Sequence, residues 1–89
     1  MAAQTFAYED LEKKVEAALR NENAFPKDTV DLTKGYLGRV RVLVVSPKLN
    51  GMSEQEKQNT VWEILKAELG EEEAQGVSLV LAWGTDELR

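Results

Sequence analysis

The chain has no cysteine and no histidine. The first absence excludes disulfides, thiolate metal sites and cysteine nucleophiles. The second removes the commonest metal ligand and the usual general base near neutral pH. Long apolar runs are also missing. None approaches the ~18–20 residues needed to span a bilayer, so no membrane partner is expected. Residues 1–5 carry no basic stretch leading into an apolar one, which reads as no secretory signal. The expected setting is the cytoplasm.

What is present suits a single domain. The 89 residues allow one domain over 1–89, with an ordered core expected over about 6–88. The 43% apolar and 30% charged content fits a globular fold with a well-solvated surface. The net charge of −5 is unevenly spread: residues 54–73 hold seven acids and two bases, and the remainder is balanced at nine of each. An acidic chain repels nucleic acid and anionic membranes on average, yet it can still carry a local basic patch.

Residues 8–20 read as a helix, because Leu11, Val15, Ala18 and Leu19 fall on one face. Glu9–Lys13, Asp10–Lys14 and Glu16–Arg20 are spaced as favourable i,i+4 pairs. Pro26 forbids continuation. Val30 and Leu32 alternate with Asp31 and Thr33 as a short strand, and its exposed edge permits a weak dimer. Lys34-Gly35-Tyr36-Leu37-Gly38 is a turn. Val40, Val42 and Val44 then alternate with Arg39, Arg41 and Leu43 in a second strand, antiparallel to the first and central in the sheet. Asn50-Gly51 marks a further turn. Ser53-Glu54-Gln55-Glu56 is a capping box that opens the main helix. Val61, Trp62, Leu65 and Leu69 form its buried stripe, flanked by Ile64, with Gly70 a candidate terminator and Gly76 a firm break. In the last strand, Val77–Trp83, Val77, Leu79, Leu81 and Trp83 share one face and Ser78, Val80 and Ala82 the other. A right-handed crossover places this strand parallel to the second. The fold class is therefore α/β (α+β): order α-β-β-α-β, a three-stranded mixed sheet and helices on one face.

That order, with its loop sequences, resembles the BolA family. Asp31-Leu32-Thr33 before a glycine-rich turn is similar to the family's first strand and hairpin. Val44-Val45-Ser46-Pro47 with Leu49, Gly51 and Ser53 resembles its strand-to-helix signature. Glu56-Lys57-Gln58 with Val61 and Leu65 follows the start of its main helix. Val77-Ser78-Leu79 and Thr85-Asp86-Glu87 resemble its last strand and acidic turn. The resemblance implies a fold close to the class II KH fold and contact with a protein partner, a monothiol glutaredoxin among them. Its cluster-sharing side chains are absent. Lys57-Gln58 stands where the family carries an arginine–histidine pair. Val77 stands near the position where a second histidine is common in the family, and Tyr36 and Leu37 stand where some members place a cysteine or histidine. Gln and Tyr are poor ligands for iron, so no iron–sulfur role is implied for this chain.

Several residues are weighed as sites. Gly35-Tyr36-Leu37-Gly38 matches the GxxG loop with which KH domains clamp a nucleic-acid backbone. Here it joins two strands, and it reads first as a hairpin turn that needs glycine. Arg39 and Arg41 share the polar face of the second strand, with Lys34 and Lys48 at its two ends, four bases on one edge, and Ser53 adds a helix N-terminus nearby. A solvated face with partly paired charges is the plain alternative. Lys57 and Gln58 lie on the family's functional surface, or on an ordinary helix edge. Trp62 and Trp83 read as core; an exposed Trp83 near the arginines would suggest base stacking or a partner hot spot. Glu71, Glu72 and Glu73 point in different directions on a helix and read as a solvated acidic turn, not as a metal site. Ser46, Ser53 and Ser78 have no imidazole to activate them. The reading is a non-enzymatic domain without catalytic residues, cofactor or metal, acting through protein contacts. The alternative is a nucleic-acid-binding domain that uses the basic edge and the start of the main helix. A monomer or weak dimer is expected.

Overall fold

Helical spacing of apolar residues folds the first segment into α1, Tyr8–Leu19, with Leu11, Val15, Ala18 and Leu19 all buried. The computed structural model describes residues 7–87; residues 1–5 and the outermost core positions 6 and 88 of the sequence reading lie outside them. After α1 come β1 (Thr29–Lys34), β2 (Val40–Val45), α2 (Glu54–Ala74) and β3 (Val77–Trp83), with 3-10 turns at Tyr36–Gly38, Pro47–Leu49 and Thr85–Glu87. The protein is a small α+β domain of order α-β-β-α-β. The sheet order is β1-β2-β3, with β1 antiparallel and β3 parallel to the central β2. Among the described residues no helix is long and apolar enough to cross a membrane.

The core lies between one face of the sheet and the two helices. Val30, Val40, Val42, Val44, Val77, Val80 and Ala82 line the sheet side, and Val61 and Leu65 face them from α2. Phe25 and Leu49 are fully buried at the loops. Burying each such side chain contributes roughly 1.5–3 kcal/mol. Trp62, Ile64 and Leu69 pack against this core while only partly buried.

The capping box forms as its sequence implies. Ser53 Oγ accepts from the Glu56 N–H at 3.1 Å, and Glu56 Oε1 accepts from the Ser53 N–H at 3.0 Å. Those bonds hold the Glu56 carboxyl below the usual carboxylate range, the backbone N–H of Ser53 contributing most. Gly70 adopts φ 80°, ψ 164°, so α2 is broken there and resumes to Ala74. Only glycine takes such a geometry readily.

Two cations, one on α1 and one at its C-cap, reach beyond their i,i+4 neighbours. Lys14 Nζ reaches Glu73 Oε2 at 2.6 Å across the two helices, which raises the Lys14 pKa and gives one member of the acidic run a partner. Arg20 donates to the Asp28 carbonyl at 2.6 Å.

One face assignment is corrected. Val77 is buried, but so are Val80 and Ala82, while Leu79, Leu81 and Trp83 are exposed. The register explains it. Val40 faces Val77, yet Arg41 faces Leu79, leaving Ser78 as an extra residue. A bulge of one residue inverts the alternation beyond it. Trp83 is consequently 39% exposed and not a core residue.

Candidate protein-interaction surface

The expected basic edge divides into two separate places. Lys34 lies opposite Val40 at the hairpin end of the sheet, with Arg39 and Arg41 beside it at the start of β2. Lys48 lies beyond the far end of β2, in the 3-10 turn Pro47–Leu49. The six residues of β2 separate the two ends by roughly 20 Å. A single four-cation surface is therefore not formed, because the alternating strand carries its two arginines at one end only.

At the far end the side chains serve the fold. Lys48 Nζ donates to the Ala24 carbonyl and sits 5.7 Å from the centre of the Phe25 ring. Ser46 is fully buried; its hydroxyl donates to Asp28 Oδ2 at 2.6 Å and accepts from the Lys48 N–H at 3.0 Å. A serine so enclosed has no approach for a substrate.

Lys57 departs most from the expectation of an ordinary helix edge. It is 2% exposed. Its ammonium donates to Glu54 Oε1 at 2.8 Å and Glu87 Oε1 at 2.5 Å. Those two bonds raise its pKa, Glu54 contributing most. Glu87 also accepts from the Gly84 N–H at 2.9 Å. The Lys57 and Gly84 bonds together lower the Glu87 pKa. Lys57 thereby ties the C-terminal turn to the first turn of α2, and its charge is not offered to a partner. The correction follows from tertiary structure: the turn Thr85–Glu87 folds back over a position that helical periodicity leaves at the margin.

Gln58 is similarly engaged. Its amide donates to the Val80 carbonyl at 2.7 Å and accepts from Trp62 Nε1 at 3.2 Å. The amide bond covers a backbone acceptor of β3, which is an edge strand and otherwise open to pairing. Ser53 is occupied as the helix cap.

The hairpin end remains accessible. Tyr36 is 79% exposed. Gly38 has φ 76° and Leu37 has φ 57°, so the turn takes the left-handed region at two successive residues, one of them not glycine. Gly35 has an extended backbone, and its role is close approach. A Cβ there would stand 3.1 Å from Ser78 Oγ and 3.3 Å from the Arg39 carbonyl. Lys34 Nζ lies 5.9 Å above the Tyr8 ring, and Arg41 donates to the Lys34 carbonyl at 3.3 Å. Tyr8 has its pKa raised, chiefly by burial and further by its bond to Glu12.

An accessible apolar feature is the sheet face opposite the helices. Leu79 and Leu81 are 44% and 45% exposed. The register places Leu79 beside Arg41, Leu81 beside Leu43 and Trp83 beside Val45. On the other side of β2, Asp31 lies opposite Leu43 and Thr33 opposite Arg41. Between them runs a shallow groove of about 430 Å³, lined by Asp31, Arg41, Leu43, Leu79 and Leu81 among others. The sequence reading missed Leu79 and Leu81 as surface residues. A signal was present: two helices cover one face of a sheet, and Asp31 and Thr33 mark the other.

Among the described residues no group of three or more acidic side chains is arranged to hold a metal ion. Compared with known proteins, the chain matches no family model and has no significant match among curated proteins.

Proposed function

We propose that this chain is a non-enzymatic, BolA-like adaptor domain of the cytoplasm that works through protein contacts and holds no iron–sulfur ligands of its own. The observation that carries the reading is the open sheet face, where Leu43, Val45, Leu79, Leu81 and Trp83 lie side by side on neighbouring strands. Contiguous exposed apolar side chains mark interaction surfaces, and a tryptophan flanked by leucines has the character of an interface anchor. The internal engagement of Lys57 and Gln58 moves the contact away from the surface that the BolA resemblance implies. A monothiol glutaredoxin remains a candidate partner through a cluster-free contact.

The test is site-specific photo-crosslinking in cells of the source organism, with the reactive side chain placed at position 81 and, separately, at the helix-side position 63. Discrete adducts with protein at 81 and none at 63 support the reading. No adduct at 81, or the same adducts at both, defeats it.

A second reading is favoured by the hairpin end, where exposed Tyr36 stands with Lys34, Arg39 and Arg41. An aromatic ring beside cations is the arrangement that holds single-stranded nucleic acid. This KH-like alternative requires salt-sensitive binding of an oligonucleotide that is lost in Tyr36→Ala and in Arg41→Glu.

A further inference from the structure

Strong candidates elsewhere resolve into the fold itself. The buried Lys57 is doubly paired, the Ser46–Asp28 pair is closed off, and the acidic run on α2 is tied at Glu73 and otherwise exposed. The open sheet face is different, because two of its groups have opposite charge and no partner of opposite charge. Asp31 and Arg41 line the same groove and both are exposed. They sit on adjacent strands, diagonally, since Asp31 is opposite Leu43 and Arg41 opposite Thr33. Diagonal neighbours on such a pair lie roughly 7–8 Å apart. Among the described residues neither makes an ion pair.

We infer that the first occupant of this face is a second copy of the same chain, stacked face to face about a two-fold axis that exchanges Asp31 and Arg41. The inference rests on the proposed reading of this face as a protein-contact surface and names its partner.

A two-fold axis in the plane of the interface, placed across the middle of the Asp31–Arg41 diagonal, sets each Asp31 over the partner's Arg41 and each Arg41 over the partner's Asp31. With strands about 4.8 Å apart and residues rising about 3.3 Å, the same axis passes close to Leu43 and Leu81. Each of these leucines then meets its own copy at the centre. The strands of the two sheets cross steeply, toward the orthogonal class of sheet packing. Closed two-fold pairs are the commonest assembly of identical chains. An unrelated partner would have to bring an acid, a base and two apolar residues in matching positions, whereas symmetry supplies all four from this chain. The excess negative charge is no obstacle, because it resides on α2, on the opposite side of the sheet.

Area sets the strength. A three-stranded face of this length projects about 300 Å², well short of the ~800 Å² per partner of a standard stable interface. The dimer is therefore weak, with dissociation on the high-micromolar scale, and the two charge pairs decide its geometry more than its affinity.

The test is a dilution series of the full chain from millimolar to low micromolar, read by sedimentation and by amide and methyl NMR shifts. Expected are a monomer–dimer equilibrium and concentration-dependent shifts at Leu43, Leu79, Leu81 and Trp83. Asp31→Arg and Arg41→Asp alone each weaken association by about fivefold or more, while the two together restore it to within about twofold. Leu81→Ser, which leaves the core untouched, abolishes it. A chain that stays monomeric at millimolar concentration overturns the inference, as does a dimer that ignores the single charge reversals. Shifts confined to the backbone of Thr29–Lys34 overturn it in favour of edge-strand pairing. If the chain stays monomeric but position 81 still forms adducts with another protein in cells, the self-pairing is wrong and the contact reading stands. If both fail, both are wrong.

Discussion

The two faces of the sheet both carry apolar side chains, but of different kinds. The covered face is nearly all valine and alanine: Val30, Val40, Val42, Val44, Val77, Val80 and Ala82. The open face carries the larger Leu43, Leu79, Leu81 and Trp83. Small β-branched side chains let two helices settle closely on a pleated surface. Long side chains reach further from the sheet and leave more apolar area exposed. Hydrophobicity alone therefore does not tell the covered face from the open one here; side-chain size and strand register do.

Substitutions on the two faces should differ in their cost. The largest effect is expected on the covered side. Leu65→Ala removes a fully buried side chain of α2 and should cost about 2–5 kcal/mol, measured by urea unfolding. Gly84→Ala comes next. Its new Cβ would lie 2.5 Å from Asp86 Oδ1 and 2.6 Å from Asn50 Oδ1, so both side chains must shift, and the Asn50 Cα at 3.0 Å leaves little room. A loss of about 1–3 kcal/mol is expected, together with amide shifts at Lys57. Ser53→Ala removes the cap of α2 and should cost about 1 kcal/mol. Leu81→Ser, on the open face, should change stability by no more than about 0.5 kcal/mol at micromolar concentration. A loss as large as that of Leu65→Ala would show that the open face belongs to the core after all.

Stability should also depend on pH in a direction set by the two ends of α2. Glu56 and Glu87 have pKa values lowered in the folded state from the ordinary 4.5. Their contribution is complete above that value and is lost as pH falls through the folded pKa, because the unfolded chain then binds more protons. Lys14 and Lys57 have raised values. Their contribution is complete below 10.5 and is lost as pH rises through the folded pKa. The melting temperature should thus hold steady near neutrality and decline at both extremes. In Glu87→Gln the acid decline should begin from a lower plateau and be shallower.

How much was legible follows from the range of the forces involved. The Ser53–Glu56 box, the Pro26 and Gly76 breaks and the strand alternation before Ser78 depend on neighbours a few residues away, and the structure bears them out. The phase of β3 did not follow, because the bulge at Ser78 arises from pairing with β2, some thirty-seven positions earlier in the chain. Lys57 read as an edge residue because nothing within one helical turn indicates that Glu87 folds back onto it. The basic edge was read with Lys34 and Lys48 at the two ends of the strand; that Lys48 turns to the Ala24 carbonyl and the Phe25 ring depends on a loop 24 residues earlier in the chain.

By itself, then, the sequence determined the element order, the parallel and antiparallel pairings and the absence of cysteine and histidine chemistry. These rest on local propensity, on the handedness of crossovers and on composition. The tertiary structure decided which apolar residues are buried and which charges are engaged within the fold. Both depend on register and on segments distant in sequence meeting across the fold. A one-residue shift in a strand or one returning turn reverses a side chain's environment without altering the local pattern.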